Sequence, residues 1–387
     1  MTAVMPTYAR YPVTLVRGEG TRVWDDEGRP YLDLIGGLGA LSLGHAHPRW
    51  VTAVADAAST IGLTSNLVTT LPQERLASRL AARTVVEDPR VFFCNSGAEA
   101  NEALLKLVRK WGLREGRPAI VVLEGSFHGR TVATLAATGQ PEKRAPFEPL
   151  LDWFRFVPPG DLDALDGAMA AGDVGAVFLE PVLGEGGVRP LATSYLQGVR
   201  ARCDAAGALL AVDEVQAGCG RAGTWLSIEA ADVRPDVVSL AKALGGGLPI
   251  GALVAPAALR FGPGEHASTF GGGPVPSAAA LAVIEEIDHA DLLANVRAMG
   301  VLLRAEVARL APAGTLRDIR GAGLLLGFEA GPGIAATDVV TALRARGVLV
   351  STAGAATIRC TPPFTIGRDE VDEAAKAFAS ALEDVAA

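Results

Sequence analysis

One lysine in this chain differs from the other four in its surroundings. Lys242 follows the apolar run DVVSL and precedes three glycines, whereas the lysines at 106, 110, 143 and 376 lie beside charged residues or on polar helix faces. A lysine among apolar residues can lose part of its hydration, which lowers its pKa and frees the amine as a nucleophile. A lysine that only clamps a phosphate or a carboxylate would suit the same position, so both roles stay open.

A second candidate, Asp213, ends the apolar run ALLAV. A carboxylate there is costly to bury unless a cationic or strongly donating group faces it. A protonated pyridine nitrogen, a metal ion or an arginine would meet this requirement. A purely structural hydrogen-bonding role is an equally open interpretation.

The third pattern is Ser96, Gly97 and Ala98, which follow the run VFFC and open a stretch with helical spacing. Unpaired amides at a helix start, with a hydroxyl and a glycine that permits close approach, form a seat for phosphate or another anion. The same residues suit an ordinary helix start, in which Ser96 caps the helix and Glu99 completes a capping box.

Other patterns carry less weight. Phe127 offers a flat face at another strand end, although an aromatic residue there usually belongs to the core. His45 and His47 resemble a metal-binding pair, but no third ligand lies nearby and Pro48 follows, so we predict a turn and no metal site. No G-x-G-x-x-G follows a strand and opens a helix, and G-x-x-x-x-G-K-[ST] and G-x-S-x-G are absent, which argues against dinucleotide-binding, NTPase and hydrolase functions.

The elements that must position these residues are short runs rich in Val, Ile and Leu, separated by helical stretches. This alternation predicts a mainly parallel sheet covered on both faces. After about residue 284 the pattern changes to that of a second, α+β unit, and an N-terminal hairpin over residues 13–34 is expected to join it. Helices are predicted at 49–61, 73–84, 291–311 and 369–386, and hairpin-like strands around 315–329 and 347–361.

Ligands of open α/β sheets collect beyond the carboxyl ends of the strands. The polar segments just after the apolar runs are 95–98, 127–130, 180–185, 213–216 and Lys242. Together they offer a phosphate seat, an aromatic face, a buried carboxylate and a reactive amine. That combination matches what a pyridine-aldehyde phosphate cofactor requires.

Composition excludes several classes of protein. The 387 residues are 49% apolar and 20% charged with a net charge of −8, and no basic stripe favours a nucleic-acid partner. The sequence contains no run of 18 apolar residues, so no membrane span is predicted, and its first residues lack a signal-peptide pattern. Four cysteines without a C-x-x-C pair favour a reducing compartment, so we expect a cytoplasmic protein.

From about residue 12 to the C-terminal helix, the chain resembles the class III aminotransferases of the pyridoxal-phosphate fold-type I group. The densest stretches are FFCNSGAEANEALLK, FHGRTVATLAATGQPEKRAPFEPL, FLEPVLGEGGV, ALLAVDEVQAGCGRAG, DVVSLAKALGGGLPIGA and STFGGGP. The resemblance implies a mainly parallel seven-stranded sheet in a large cofactor-binding domain at 51–284. It also implies a smaller α+β domain at 285–387, which the N-terminal segment 1–50 joins.

The resemblance implies pyridoxal 5'-phosphate as cofactor and a role for each matching residue. Lys242 would hold the cofactor, Asp213 would pair with its ring nitrogen, Phe127 would cover the ring and Gln216 would touch the ring hydroxyl. The expected cofactor contacts are Ser96, Gly97, Ala98, Phe127, Asp213, Glu214, Val215, Gln216, Lys242 and Thr269, with Lys242 and Asp213 as the catalytic pair.

The resemblance also implies a homodimer, because Thr269, with Ser268 beside it, would reach the phosphate or substrate of the neighbouring subunit. Arg130 would bind the substrate carboxylate, and Arg359 a second carboxylate, with Glu185 pairing Arg359 when that carboxylate is absent. Glutamate has two carboxylates that two arginines can clamp.

Within the class, LGHAHP, SNLVTTLP and TGQPEKRAPFEPL are most similar to the acetylornithine aminotransferases, which implies N2-acetyl-L-ornithine and 2-oxoglutarate as substrates. Departures from the family pattern at Leu183, Gly273 and residues 40–42 leave other amino donors open. The alternatives are ornithine, succinylornithine or 4-aminobutyrate as donor, an aminomutase of the same fold, and an inactive cofactor-binding relative.

Overall fold

Strands and helices alternate through residues 3–386, the part of the chain that the computed structural model describes. The strands are β1 (Leu15–Glu19), β2 (Arg22–Asp25), β3 (Pro30–Asp33), β4 (Pro89–Cys94), β5 (Ala119–Leu123), β6 (Phe154–Val157), β7 (Val174–Leu179), β8 (Val182–Leu183), β9 (Arg189–Pro190), β10 (Leu209–Asp213), β11 (Val237–Leu240), β12 (Gly251–Pro256), β13 (Leu316–Ala322), β14 (Leu325–Ala330), β15 (Val348–Leu349), β16 (Ser351–Ala353) and β17 (Thr357–Cys360). The helices are α1 (Gly36–Gly39), α2 (Pro48–Thr60), α3 (Leu71–Ala81), α4 (Gly97–Arg114), α5 (Val132–Ala137), α6 (Pro141–Arg144), α7 (Leu162–Met169), α8 (Thr193–Ala206), α9 (Pro274–His289), α10 (Leu292–Leu310), α11 (Ala336–Ala345) and α12 (Arg368–Ala386). Over residues 3–386, no helix is both long and apolar enough to cross a membrane.

The central sheet has seven strands in the order β4-β12-β11-β10-β7-β5-β6. All neighbouring pairs are parallel except those of β12, which runs antiparallel to both β11 and β4. Every residue of β7 is buried, as expected of a strand covered on both faces. The predicted fold class, a mainly parallel seven-stranded α/β sheet with a smaller α+β unit, is therefore confirmed.

The pattern of apolar runs identified five of these strands and missed β6 and β12. The connection from β11 to β12 spans only residues 241–250, which is shorter than the crossover that two parallel strands need. The chain therefore returns antiparallel, and Lys242 lies in this short connection.

A second sheet, in the order β13-β14-β17-β16, is antiparallel throughout and packs with α10, α11 and α12. A third sheet pairs β1, β2 and β3 with β15, so the N-terminal hairpin joins a C-terminal strand. This pairing supports the predicted division at residues 50 and 284, which remains a prediction. Its outermost residues, 1, 2 and 387, lie outside the described part of the chain.

Helix α4 links the sheet edge to the site. It begins directly after β4, and Leu104, Leu107 and Val108 belong to its buried face. That face packs on β7, β11 and β12, which fixes the first turn of α4 at the carboxyl edge of the sheet.

Candidate active site

Residues that follow four strands of the central sheet surround one cavity of about 220 Å³, together with the first turn of α4. The strands are β5, β7, β10 and β11, and the cavity lies at the edge where α/β sheets bind ligands. The lining residues are Gly97, Ala98, Asn101, Phe127, His128, Gly129, Arg130, Glu180, Asp213, Val215, Gln216 and Lys242.

The start of α4 is compatible with both functions that the sequence left open. The Ser96 hydroxyl accepts a hydrogen bond from the Glu99 amide (3.1 Å) and so caps the helix. Gly97 and Ala98 occupy the first turn, where amides have no acceptor within the helix. A Cβ on residue 97 would lie 2.5 Å from Cγ1 of Val215, so this close packing requires a glycine. The two amides line the cavity and are available to an anion.

Asp213 ends β10, is 4% exposed and accepts three hydrogen bonds. Its Oδ1 accepts from the Val215 amide (2.9 Å), and its Oδ2 from Asn101 Nδ2 (2.7 Å) and His128 Nδ1 (2.8 Å). His128 stacks on Phe178, and within residues 3–386 its Nε2 has no hydrogen-bond partner. The protein therefore orients a buried carboxylate toward the cavity and compensates its desolvation with donors.

Lys242 follows β11 with a φ of 42°, in the left-handed region that a lysine adopts only under constraint. It is partly buried, and no hydrogen bond or ion pair to its Nζ occurs within residues 3–386. Burial lowers the pKa of Lys242, and the positive charge of Arg359 lowers it further, against the opposing charges of Glu185 and Asp213. The amine therefore has a larger neutral fraction than an exposed lysine.

Glu180 is a buried acid at the end of β7, and the sequence pattern gave it no role. Its Oε1 accepts from the Phe127 amide (2.7 Å) and its Oε2 from the Gly184 amide (3.1 Å). Burial raises the pKa of Glu180 to about 8, and the neighbouring charge of Asp213 contributes to the increase. Glu180 thus ties together two loops that border the cavity.

Arg359 and Glu185 form an ion pair beside the cavity. Arg359 lies on β17 and is 2% exposed, and it also donates to Gln216 Oε1 (3.2 Å) and to Ser351 Oγ (3.3 Å). Burial alone would raise the pKa of Glu185, but the guanidinium of Arg359 outweighs this effect and lowers the pKa below its ordinary value. A buried arginine whose carboxylate partner is a neighbouring side chain can exchange that partner for a carboxylate of a ligand.

Arg130 is the second arginine at the cavity. It is exposed, its guanidinium carbon lies 5.4 Å from the centroid of the Phe127 ring, and it has no ion-pair partner within the described chain. Phe127 itself is partly buried. Phe127 thus offers an apolar ring face and Arg130 a positive charge at the same opening of the cavity.

Six of the predicted site residues do not line the cavity: Ser96, Glu185 and Arg359, described above, and Glu214, Ser268 and Thr269. Glu214 turns away from it, because its carboxylate accepts from Ser227 Oγ (2.7 Å) and the Ile228 amide (2.9 Å). Ser268 Oγ accepts from Asn95 Nδ2 (3.2 Å), next to the cap of α4, and Thr269 is exposed. The structure thus gives the Glu214 side chain partners outside the cavity, and a contact of Thr269 with a neighbouring subunit remains a proposal.

Sequence reasoning missed the roles of Asn101 and His128, both of which bind Asp213. Asn101 had a usable signal, because it interrupts the apolar face of α4 that Ala100 and Leu104 continue. His128 had none beyond its place after a strand.

The predicted turn at His45 and His47 is present: His47 precedes α2, and His45 Nε2 lies 2.9 Å from Asp33 Oδ2. Within residues 3–386, no group of three or more His, Cys, Asp or Glu side chains could hold a metal ion.

Comparisons with known proteins agree with this geometry. The profile of the family "Aminotransferase class-III" matches residues 4–382. The acetylornithine aminotransferase of Thermosynechococcus vestitus is 46% identical over 99% of this chain and 96% of its own length. The solved ornithine aminotransferase of Toxoplasma gondii ME49 has a TM-score of 0.95 at 31% identity, covering 99% of this chain and 93% of its own. The N-acetylornithine aminotransferase of Stenotrophomonas maltophilia K279a has a TM-score of 0.85 at 38% identity, covering 97% of each chain. This chain therefore belongs to the class III aminotransferase family.

Proposed function

We propose that this chain transfers the amino group of N2-acetyl-L-ornithine to 2-oxoglutarate with pyridoxal 5'-phosphate as cofactor. The products are N-acetyl-L-glutamate 5-semialdehyde and L-glutamate, and the reaction belongs to arginine biosynthesis. The reaction type rests on the cavity in which the amine of Lys242, the carboxylate of Asp213 and the first-turn amides of α4 converge. The choice of amino donor rests on the similarity to acetylornithine aminotransferases.

The groups around the cavity fit this cofactor. The Gly97 and Ala98 amides suit a phosphate, and Phe127 and Val215 supply apolar surface. Asp213 uses three of its roughly four acceptor sites on protein donors, which leaves one for a ring N–H. When bound, pyridoxal phosphate supplies an aldehyde that condenses with amines and a ring that accepts electrons.

The chain's own residues then have defined tasks. Asp213 would keep the ring nitrogen protonated, because a carboxylate in a buried site favours a cation beside it. Lys242 Nζ, whose pKa is lowered by burial, would be the base that accepts the proton from the substrate Cα. Gln216 accepts a hydrogen bond from Arg359 at Oε1, so the Nε2 group of Gln216 would be the donor to the ring hydroxyl.

The two arginines account for the two substrates. N2-acetylornithine carries one carboxylate and an uncharged amide, so Arg130 binds the carboxylate while Glu185 stays on Arg359. Glutamate and 2-oxoglutarate carry a second carboxylate, which replaces Glu185 on Arg359 and makes a bidentate contact. In both cases the buried guanidinium keeps an anionic partner, which avoids an uncompensated buried charge.

We also propose a homodimer with shared active sites. Thr269 and the neighbouring Phe270 are exposed, and Phe270 is 61% exposed although it is aromatic. The segment 61–71 adds more exposed apolar side chains, namely Ile61, Leu63, Leu67, Val68 and Leu71. Contiguous exposed apolar surface is typical of an interface, so a second copy would bury these residues and bring Thr269 to its partner's site.

A reducing, cytoplasmic compartment fits the thiols. All four cysteines, Cys94, Cys203, Cys219 and Cys360, are free and buried. Burial raises the pKa of each thiol, so these side chains are inert core residues rather than disulfide partners.

The decisive experiment compares amino donors. Purified, cofactor-loaded enzyme is assayed with 2-oxoglutarate and N2-acetylornithine, ornithine, N2-succinylornithine or 4-aminobutyrate, and each half-reaction is followed by cofactor absorbance. We expect the highest kcat/KM with N2-acetylornithine. A higher value with ornithine, the first alternative because of the structural similarity to an ornithine aminotransferase, would replace the proposed donor. No turnover with any donor, despite bound cofactor, would identify an inactive relative.

Two variants test the carboxylate assignments. Arg359→Ala should weaken the glutamate half-reaction by roughly 2–5 kcal/mol, the usual cost of truncating one partner of a buried charge pair. It should affect the acetylornithine half-reaction less, whereas Arg130→Ala should impair both. Equal losses in both half-reactions for Arg359→Ala would indicate that Arg359 only supports the fold.

A further inference from the structure

The loop 184–188, which carries Glu185, lies on one face of the C-terminal sheet. Arg320 on β13 pairs with Gly327 on β14, and Gly327 pairs with Arg359 on β17. Directly opposed residues of antiparallel strands project from the same face. The two arginine side chains therefore stand on either side of a glycine in one cross-strand row.

The glycine in this row makes room for the loop. A Cβ on Gly327 would lie 2.9 Å from Cβ of Val188 and 3.3 Å from the carbonyl oxygen of Gly187. Since Gly327 carries no positive φ, the requirement for glycine here is the close approach of the loop and not a strained backbone. The loop thus sits over Gly327, between Arg320 and Arg359.

The two arginines hold this loop in different ways. Arg359 binds the carboxylate of Glu185, a side chain that can rotate. Arg320 Nε donates to the backbone carbonyl of Gly187 (2.8 Å), which cannot leave without moving the loop.

Arg320 is itself held in place. Its Nη2 donates to Thr357 Oγ1 (2.9 Å) and its Nη1 to Glu329 (2.5 Å), and its side chain is only 11% exposed. Glu329 is also an ion-pair partner of Arg317 and Arg189, so its charge stays compensated if Arg320 is removed.

We propose that Arg320 is a positioning residue for substrate discrimination: it fixes the backbone of loop 184–188 so that only the Glu185 side chain moves when a second carboxylate reaches Arg359. The inference rests on the proposed alternation of Glu185 and substrate on Arg359. With the clamp in place, Glu185 returns to Arg359 whenever a donor with one carboxylate binds. Without the clamp, Arg359 would face such donors with its charge uncompensated for part of the time.

The test uses Arg320→Met in the cofactor-loaded enzyme, with Arg317→Met as matched control. Arg317 lies on the same strand and pairs with the same Glu329, but it is 66% exposed, and within residues 3–386 no hydrogen bond joins it to the loop. We expect Arg320→Met to lower kcat/KM for N2-acetylornithine relative to glutamate by roughly tenfold, the effect of losing one charge-assisted hydrogen bond. Glu185→Ala should shift the ratio in the same direction, and Arg317→Met should leave it unchanged.

Two further variants separate positioning from general damage to the fold. Arg320→Lys keeps a cationic donor and should restore part of the ratio. Glu185→Ala combined with Arg320→Met should have the ratio of Glu185→Ala alone, because the loop then has no carboxylate to position. A ratio that falls further in the double variant, or equal losses with both substrates in Arg320→Met, would overturn the proposal.

A measurement that needs no substrate keeps this inference distinct from the proposed function. Hydrogen exchange of the peptide with residues 184–188 should be faster in Arg320→Met than in wild type or Arg317→Met, because the Val188 amide bonds within the loop to Gly184 O. Unchanged exchange would overturn the clamp whatever the donor is. If exchange is faster in Arg320→Met but the wild-type enzyme does not use N2-acetylornithine, the proposed amino donor is wrong and the role of Arg320 in holding the loop is retained.

Discussion

Asp213→Asn is the substitution that tests the candidate site most directly, because its consequences follow from the hydrogen bonds of one side chain. The carboxylate accepts from Asn101 and His128 at Oδ2 and from the Val215 amide at Oδ1. An asparagine must place its NH₂ group at one of these positions. We expect the NH₂ group to face the Val215 amide, because at the other position it would face two donors, Asn101 and His128.

The cost to folding and the cost to catalysis should differ. Loss of one hydrogen bond to a charged acceptor costs about 1.5–3 kcal/mol. We therefore expect the apo-enzyme to lose about 2 kcal/mol of unfolding free energy. Turnover should fall by roughly 10²–10³-fold, the usual effect of removing one preorganised electrostatic partner.

The assays are denaturant unfolding of the apo-enzyme, cofactor titration and single-turnover kinetics with N2-acetylornithine. Asp236→Asn is the matched control: Asp236 accepts from the Leu210 amide and Arg200, both at 2.7 Å, and lies outside the cavity. It should lower stability and leave kcat intact. If Asp213→Asn kept kcat within a few-fold of wild type while losing the same stability as the control, Asp213 would be a structural residue and the ring-nitrogen assignment would be wrong.

Three further outcomes are expected. Borohydride treatment of the purified enzyme should fix a pyridoxyl group on the peptide that contains Lys242, and label on another lysine peptide would contradict the central assignment. Mixing Lys242→Ala and Thr269→Ala chains should partly restore activity, because a hybrid dimer has one intact shared site; no recovery after demonstrated subunit exchange would argue against that site. Burial raises the pKa of Glu214 to about 7 from an ordinary value of 4.5, so its contribution to stability is present below pH 4.5 and is lost as the pH rises through 7. In Glu214→Gln the side-chain amide can still bond to the Ser227 hydroxyl and the Ile228 amide, but it does not titrate. The change in unfolding free energy between pH 4.5 and 7 should therefore become smaller by up to roughly 3 kcal/mol. An unchanged pH dependence would show that another group titrates.

The fold was predictable where burial on both sides of the sheet leaves a continuous apolar run, as in β7 and β10. It was less so for β12, which the sequence analysis missed, and only the length of the connection after β11 decides that this strand runs antiparallel. A smaller difference is that α3 begins at Leu71, whereas the sequence predicted a start at 73. The helix has a proline in its first turn, and the spacing of apolar residues gives no sign of such a start.

The sequence predicted which strand ends carry the site residues, but it did not predict most of the contacts between those residues. Lys242 and Asp213 were visible because a charged residue after an apolar run demands a partner. Asn101 and His128 were not, since their role depends on α4 and the loop after β5 meeting over β10. Arg320 lies among several arginines that serve as surface ion pairs, and only the cross-strand register sets it beside the loop.

The role proposed for the Glu185–Arg359 pair would connect substrate choice to the chemistry of Lys242. The charge of Arg359 lowers the pKa of Lys242, whereas the charge of Glu185 raises it, so the two members of the pair oppose each other at the amine. In the proposed mechanism, a dicarboxylate that displaces Glu185 would bring its own negative charge to Arg359 and so replace the charge of Glu185 there. We therefore expect Lys242 to have similar basicity in both half-reactions, with a donor of one carboxylate and an acceptor of two, because an anion would rest on Arg359 in each.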